Sequence, residues 1–132
     1  MKILQFGFVE VGEWKLDSRL KSGIRYKLRK LQDDRVIYAY AVNETIKYIG
    51  VCDSTSTSLQ SRMSRYQSMT AGGTNKRIAN LIRKAIEVGS KVKIYAFKPD
   101  VELQLCELNV DLVKGLENPL IQEEKPEWNI KS

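Results

Sequence analysis

The 132-residue chain contains no histidine. That absence removes Ser–His and Cys–His nucleophile pairs, histidine-ligated metals and histidine as a general base. Acid–base chemistry must fall to carboxylates, lysine or tyrosine. Cysteine is scarce: Cys52 and Cys106 are far apart and form no CxxC pair, so zinc-chelating spacing is missing and both read as reduced, buried thiols. No run of about eighteen apolar residues occurs, which excludes a membrane-spanning helix. The first fourteen residues place glycines and acids where a secretory signal needs an unbroken apolar core, so the expected compartment is the cytoplasm. A chain of this length, 42% hydrophobic, suffices for one core.

Negative charge is missing from one long stretch. No acidic residue lies between Asp53 and Glu87, while Arg62, Arg65, Lys76, Arg77, Arg83 and Lys84 all fall there. Residues 1–99 hold 19 basic and 8 acidic residues, a net of +11, whereas residues 100–132 hold 3 and 8, a net of −5. A one-sided basic field attracts polyanions, nucleic acid above all. Arg25, Lys27 and Arg29 extend it into the N-terminal segment, a candidate nucleic-acid-holding arm or a solvated basic face.

What is present reads as an α+β domain. Residues 36–42 are β-branched and aromatic, Asn43-Glu44 makes a polar turn, and 45–51 form the return strand of a hairpin. Leu59, Met63 and Tyr66 predict a short helix after the Ser/Thr loop. Ile78, Leu81, Ile82, Ala85 and Ile86 make one apolar helix face stopped by Gly89. Residues 92–97 read as a third strand. Asn109 or Asp111 caps a last helix, which Pro119 is expected to kink or split. The N-terminal stretch stays open: Phe6, Phe8 and Val9 suggest a strand, while Leu16, Leu20, Ile24, Leu28 and Leu31 recur at near-helical spacing interrupted by Gly23.

Two tyrosines on adjacent hairpin strands, Tyr38 and Tyr48, an arginine on the next helix, Arg62, and a late glutamate, Glu117, form the candidate site. Singly, strand tyrosines are packing residues and helix charges are solvated; order and spacing give them weight. Val36-Ile37-Tyr38, Tyr48-Ile49-Gly50, Leu59 to Arg62, and Glu117 followed by Leu120-Ile121 and Lys125-Pro126-Glu127-Trp128-Asn129 together resemble the GIY-YIG nucleases. Val36 stands where that family usually has glycine, and the loop from Gly50 to Arg62 is longer than in many members. The resemblance covers about residues 35–129 and leaves residues 1–34 as a basic extension before a nuclease domain of residues 35–132.

The resemblance implies a central three-stranded antiparallel sheet flanked by helices. It also implies one Mg²⁺ or Mn²⁺ per active site, and hydrolysis of DNA to 5′-phosphate and 3′-hydroxyl ends. Carried over by position, Glu117 is the metal ligand, Tyr38 the general base or the group orienting water, and Tyr48 a positioner of water and phosphate. Arg62 stabilises the phosphate charge, Asn129 organises the site, and Gly50 lets the hairpin backbone pass close to its neighbours. Nearby cations, Arg62 and Lys47, are expected to favour the Tyr38 phenolate. Tyr66, one turn beyond Arg62, is a candidate supporting group or a packing residue. Arg65 is expected to touch a neighbouring phosphate. Thr74, Asn75, Lys76 and Arg77 open a helix whose backbone N–H groups suit phosphate, with Thr74 or Asn75 as the cap. DNA is the expected partner, single- or double-stranded, with RNA still open, and the chain is expected to act as monomer or homodimer. The alternative is an inactive nucleic-acid-binding module on the same fold.

Overall fold

A computed structural model describes residues 2–29, 35–53, 57–70, 72–99 and 103–129. After a 3-10 turn at Lys2–Phe6 the order is β1 (Val9–Leu16), β2 (Ile24–Leu28), β3 (Val36–Val42), β4 (Thr45–Cys52), α1 (Leu59–Ser68), α2 (Gly73–Glu87), β5 (Val92–Phe97), β6 (Leu103–Leu105), β7 (Leu108–Val110) and α3 (Leu112–Glu124). Five strands make one antiparallel sheet in the order β2-β1-β5-β3-β4, and β6 and β7 form a separate hairpin.

β5, β3 and β4 are the three strands expected, and β1 and β2 extend them to five. The N-terminal ambiguity resolves as a hairpin rather than a helix. Gly23, at φ +78°, and the bonds Asp17 N to Gly23 O (2.8 Å) and Gly23 N to Leu20 O (3.0 Å) close the turn between β1 and β2. Leu31, the last member of the helical spacing, lies outside the described residues, as does Lys30. The division expected at residue 34 is not a boundary of the sheet, because Gly12, Glu13 and Trp14 of β1 pair with Ile94, Lys93 and Val92 of β5.

β3 is buried from Val36 to Ala41 and feeds both faces of the sheet. Val36, Tyr38 and Tyr40 pack with Leu59, Met63 and Tyr66 of α1 and Ile78, Ala79 and Ile82 of α2. Ile37, Ala39 and Ala41 pack with Ile3, Phe8, Ile46, Ile49 and Val113 and Leu120 of α3. The molecule is therefore three layers, with each buried aliphatic side chain contributing about 1.5–3 kcal/mol. Asn43 (φ +48°) and Glu44 (φ +70°) give the β3–β4 hairpin a two-residue turn with both centres left-handed.

The helix ends follow their sequence signals in two of three cases. The Ser58 side chain accepts from Ser61 N (3.0 Å) at the start of α1. Asp111, not Asn109, caps α3 by accepting from Val113 N (3.0 Å) and Lys114 N (3.3 Å). α2 departs: Gly72 is its N-cap, with no side-chain cap, so neither Thr74 nor Asn75 caps it. Pro119 does not split α3. It is exposed, and so is Gly115 four residues back, so the carbonyl that loses its donor faces solvent. Cys52 is buried as expected, whereas Cys106 is exposed at the β6–β7 turn. Among the described residues no helix is long and apolar enough to cross a membrane.

Candidate active site

Strand register brings the tyrosines together. Tyr40 lies opposite Tyr48, and Tyr38 lies opposite Gly50. The absence of a side chain at Gly50 is used fully: a Cβ there would sit 2.5 Å from both Cζ and Oη of Tyr38. The Tyr38 ring therefore lies across the Gly50 backbone and points its hydroxyl toward α1. There the Tyr38 and Tyr66 hydroxyls share a 2.6 Å hydrogen bond, Arg62 Nε donates to Tyr38 Oη (3.2 Å), and Tyr66 Oη donates to Tyr48 Oη (3.4 Å). Arg62 and Tyr66 are one helical turn apart, so the guanidinium also lies over the Tyr66 ring, 5.6 Å from its centroid.

Arg62 makes its hydrogen bond through Nε. Its terminal nitrogens have no hydrogen-bond partner among the described residues. Partial burial works against its charge, but the oxygens of Tyr38, Tyr66 and Tyr48 outweigh that and hold it cationic. The planar donor fork is thus anchored on one side and unengaged on the other, a geometry suited to a phosphate.

Tyr38 runs against the expectation of an easily formed phenolate. Its complete burial pushes the phenol up, Tyr48 adds to the rise, and Arg62 offsets it only in part. Desolvation of a charge in a closed aromatic cluster is the larger effect. Lys47 does not contribute. It is the extra residue of a bulge, where the partner of β3 steps from Tyr48 to Ile46, and its amine pairs with Glu127 at 2.5 Å.

Glu117 comes from α3, the layer on the opposite face of the sheet, and is half-buried. Burial raises its carboxyl, the nearby Asp53 raises it further, and Arg62 opposes the rise. Glu117 therefore lies within the fields of both Arg62 and Asp53, the residue just past the end of β4. Asp53 was missed in the sequence because it is a lone carboxylate outside the recognisable motifs. Its position three residues after Gly50, at the strand end nearest α1, was the available signal.

Asn129 organises backbone rather than reacting groups. Its amide donates to Ile49 O and accepts from Ile49 N, both at 2.9 Å, so it pairs with edge strand β4 as another strand would. Trp128 N adds a bond to Lys47 O (2.8 Å), and Arg77 Nη2 donates to Trp128 O (3.0 Å). The C-terminal segment is thus clasped along β4 beside Tyr48. Tyr40 also joins the cluster unforeseen, its ring stacked on Tyr48 at 5.7 Å, but its hydroxyl turns to Met63 Sδ (3.1 Å) and packs in the core.

The expected nucleic-acid contacts divide. Lys76 and Thr74 are exposed at the start of α2, and Lys76, Arg77, Asn80 and Lys84 line a shallow depression there. Asn75 is buried, donating to Thr70 O (2.6 Å), and Arg77 is committed to the C-terminal clasp, so these two serve structure. Arg65 is half-buried in the last turn of α1. On β2, Arg25 faces Asp17 at 3.7 Å and exposed Lys27 has no ion pair among the described residues, while Arg29, just past the strand end, pairs with Glu10 and with Glu13.

No family model matches the sequence, and no curated protein matches it. Solved structures do. The structure of a glutamate-to-alanine variant of bacteriophage T4 EndoII aligns with TM-score 0.74 at 24% identity, covering 98% of this chain and 96% of that one. Restriction endonuclease HPY188I in complex with product DNA aligns with TM-score 0.57 at 16% identity, covering 92% of this chain and 76% of that one. The chain has the α+β fold of these two nuclease structures.

Proposed function

We propose that the chain is a DNA endonuclease that hydrolyses phosphodiester bonds with one Mg²⁺ or Mn²⁺ per active site and leaves 5′-phosphate and 3′-hydroxyl ends. The observation that carries this reading is Arg62: anchored through Nε on a buried phenol, with its other donors unengaged among the described residues, and with a charge that opposes the rise of the half-buried Glu117 carboxyl from another layer. The fold likeness supports it, since one neighbour is a restriction endonuclease holding product DNA.

The donor set fits a hard cation. Among the described residues no group of three or more His, Cys, Asp or Glu side chains converges, which argues against an all-protein cage. Mg²⁺ instead keeps several waters and is held by one or two carboxylates together with substrate phosphate. Glu117 would hold the ion, with Asp53 as the carboxylate whose charge acts on it. When bound, the cation supplies positive charge at the phosphate oxygens and leaving oxygen.

The remaining roles fall to this chain's own side chains. Arg62 stabilises the non-bridging oxygens, where charge grows in the transition state. Tyr38 keeps its proton, because burial holds its phenol up, and orients Arg62 and Tyr66. Tyr48, which retains 8% exposure where Tyr38 has none, is the phenol that meets water and phosphate. Lys76, Lys84, Arg65 and Lys27 hold the flanking backbone, so affinity falls steeply with salt.

Purified protein incubated with single-stranded, duplex and branched DNA and with RNA, with and without Mg²⁺ or Mn²⁺, is expected to cut DNA only when metal is present. Glu117→Ala should abolish cutting while its circular dichroism stays unchanged. Salt-sensitive binding with no cleavage in either metal would overturn the hydrolase reading and leave a binding module.

A further inference from the structure

Edge strand β4 carries Tyr48, and its outer side is closed by the C-terminal segment rather than by another strand. Trp128 N donates to Lys47 O (2.8 Å), and the Asn129 amide pairs with both Ile49 N and Ile49 O at 2.9 Å. Tyr48 is the residue between those two anchored positions. On the other side of the clasp, Arg77 Nη2 of α2 donates to Trp128 O (3.0 Å). The backbone of Trp128 is therefore a bridge, with its N–H on β4 and its carbonyl on α2. Its buried indole belongs to the same core cluster as Tyr48, Tyr66 and Ile78. The Lys47–Glu127 pair adds a tie at the surface, where ion pairs contribute little.

The Tyr48 phenol depends on this backbone for its position. From inside the cluster it receives one long hydrogen bond, from Tyr66 Oη at 3.4 Å, and long bonds of this kind hold weakly. Arg77 is also a costly choice for gripping one carbonyl, since a neutral amide or hydroxyl could donate the same bond. What the guanidinium adds is its place. Half-buried, it lines the shallow depression that Lys76, Asn80 and Lys84 share, the face assigned above to the flanking DNA backbone. Arg77 thus stands at the junction of the α2 surface and the segment that fixes Tyr48.

We infer that Arg77 is a positioning residue of the cleavage reaction, a latch that keeps the Tyr48 strand in place through the Trp128 carbonyl. This rests on the reading of the chain as a DNA endonuclease. Arg77 acts through Trp128 and not on the reacting atoms. Its loss leaves the Asn129 stitch at Ile49, so the strand loosens without leaving the sheet. A loosened strand lets the Tyr48 phenol drift, and a drift of about 1 Å at a reacting centre can cost about 10²-fold in rate.

Hydrogen exchange reads the latch without DNA or metal. In Arg77→Ala the amides of Ile49 and Trp128 are expected to exchange about tenfold faster or more, while those of β1 and β5 keep wild-type rates. Single-turnover cleavage at saturating DNA should fall about tenfold or more, with metal-free affinity for the same DNA within about threefold of wild type. A double variant separates a latch from an independent contact. Asn129→Ala unstitches the same strand, so adding Arg77→Ala to it should cost less than about threefold more, whereas independent roles would multiply. Unchanged exchange in Arg77→Ala, weakened affinity with a wild-type rate at saturating DNA, or losses that multiply in the double variant would each overturn the latch. A wild-type chain that cuts nothing in Mg²⁺ or Mn²⁺ would overturn the nuclease reading and with it the role in cleavage. The exchange result shows separately whether Arg77 holds the clasp.

Discussion

The two faces of the central sheet are built from the same strand by opposite means. Toward α1 and α2, β3 and β4 present Tyr38, Tyr40 and Tyr48, which meet Tyr66 in rings 5.6–6.3 Å apart and in directional hydroxyl bonds. Toward α3, alternate residues of the same strands present Ile37, Ala39, Ala41, Ile46 and Ile49, held by shape and burial. The aliphatic face gives the sheet a floor that needs no specific orientation. The tyrosine face fixes angles as well as positions, which a site that must aim a guanidinium requires. Glu117 crosses this division: it belongs to the helix of the aliphatic face and yet acts in the field of Arg62.

The contrast can be broken from either side. The largest expected effect is Arg62→Lys. An ammonium cannot bond the Tyr38 oxygen and present a planar fork to phosphate together, so cleavage should fall about 10²–10³-fold in single-turnover assays with little change in melting temperature. A near-normal rate would remove directional aim from the role of the tyrosine face.

Ile37→Ala and Gly50→Ala form a matched pair. Deleting the buried Ile37 side chain should cost about 2–5 kcal/mol in urea titration while the folded fraction still cuts DNA. A methyl at Gly50, 2.5 Å from Tyr38 Cζ, should cost about 1–3 kcal/mol and depress cleavage as well, because the displaced ring carries the Arg62 anchor with it. Equal losses of activity in both variants would erase the distinction between the faces.

The gentlest probe is alkaline titration followed by phenolate absorbance. Burial raises Tyr38, Tyr40 and Tyr66 above the ordinary 10.0 of a phenol, so the folded chain keeps protons that the unfolded chain releases. Their contribution to stability is complete below pH 10 and is lost as pH rises beyond it. The phenolate signal of these three should therefore appear together with unfolding, at a single midpoint. Early ionisation of all three in folded protein would show the cluster to be open.

Much of this was legible along the chain. β-Branched and aromatic content placed β3, the polar turn and return strand placed β4, and apolar residues at helical spacing placed α1 and α2, while Asp111 and Gly89 marked ends that local hydrogen bonding decides. The N-terminal hairpin was not legible, since leucines from two facing strands happened to fall near helical spacing. The β6–β7 hairpin escaped because three residues per strand are too few to establish an alternation. Lys47 looked like an active-site cation until the bulge at Tyr40–Ala41 put it out of register.

By itself, then, the sequence determined the alternation along β3 that sends tyrosines one way and aliphatics the other, the helix caps and stops, and the basic half of the chain, because each follows from residue type at short spacing. Only the tertiary structure decided that the Tyr38 phenol is closed off from water, that the charge of Asp53 acts on Glu117, that Asn129 stitches the C-terminal segment to β4, and that four apolar side chains on β6–β7 are left uncovered. Those facts depend on which distant segments exclude solvent from which groups, and desolvation is a property of the packed whole that no local pattern encodes.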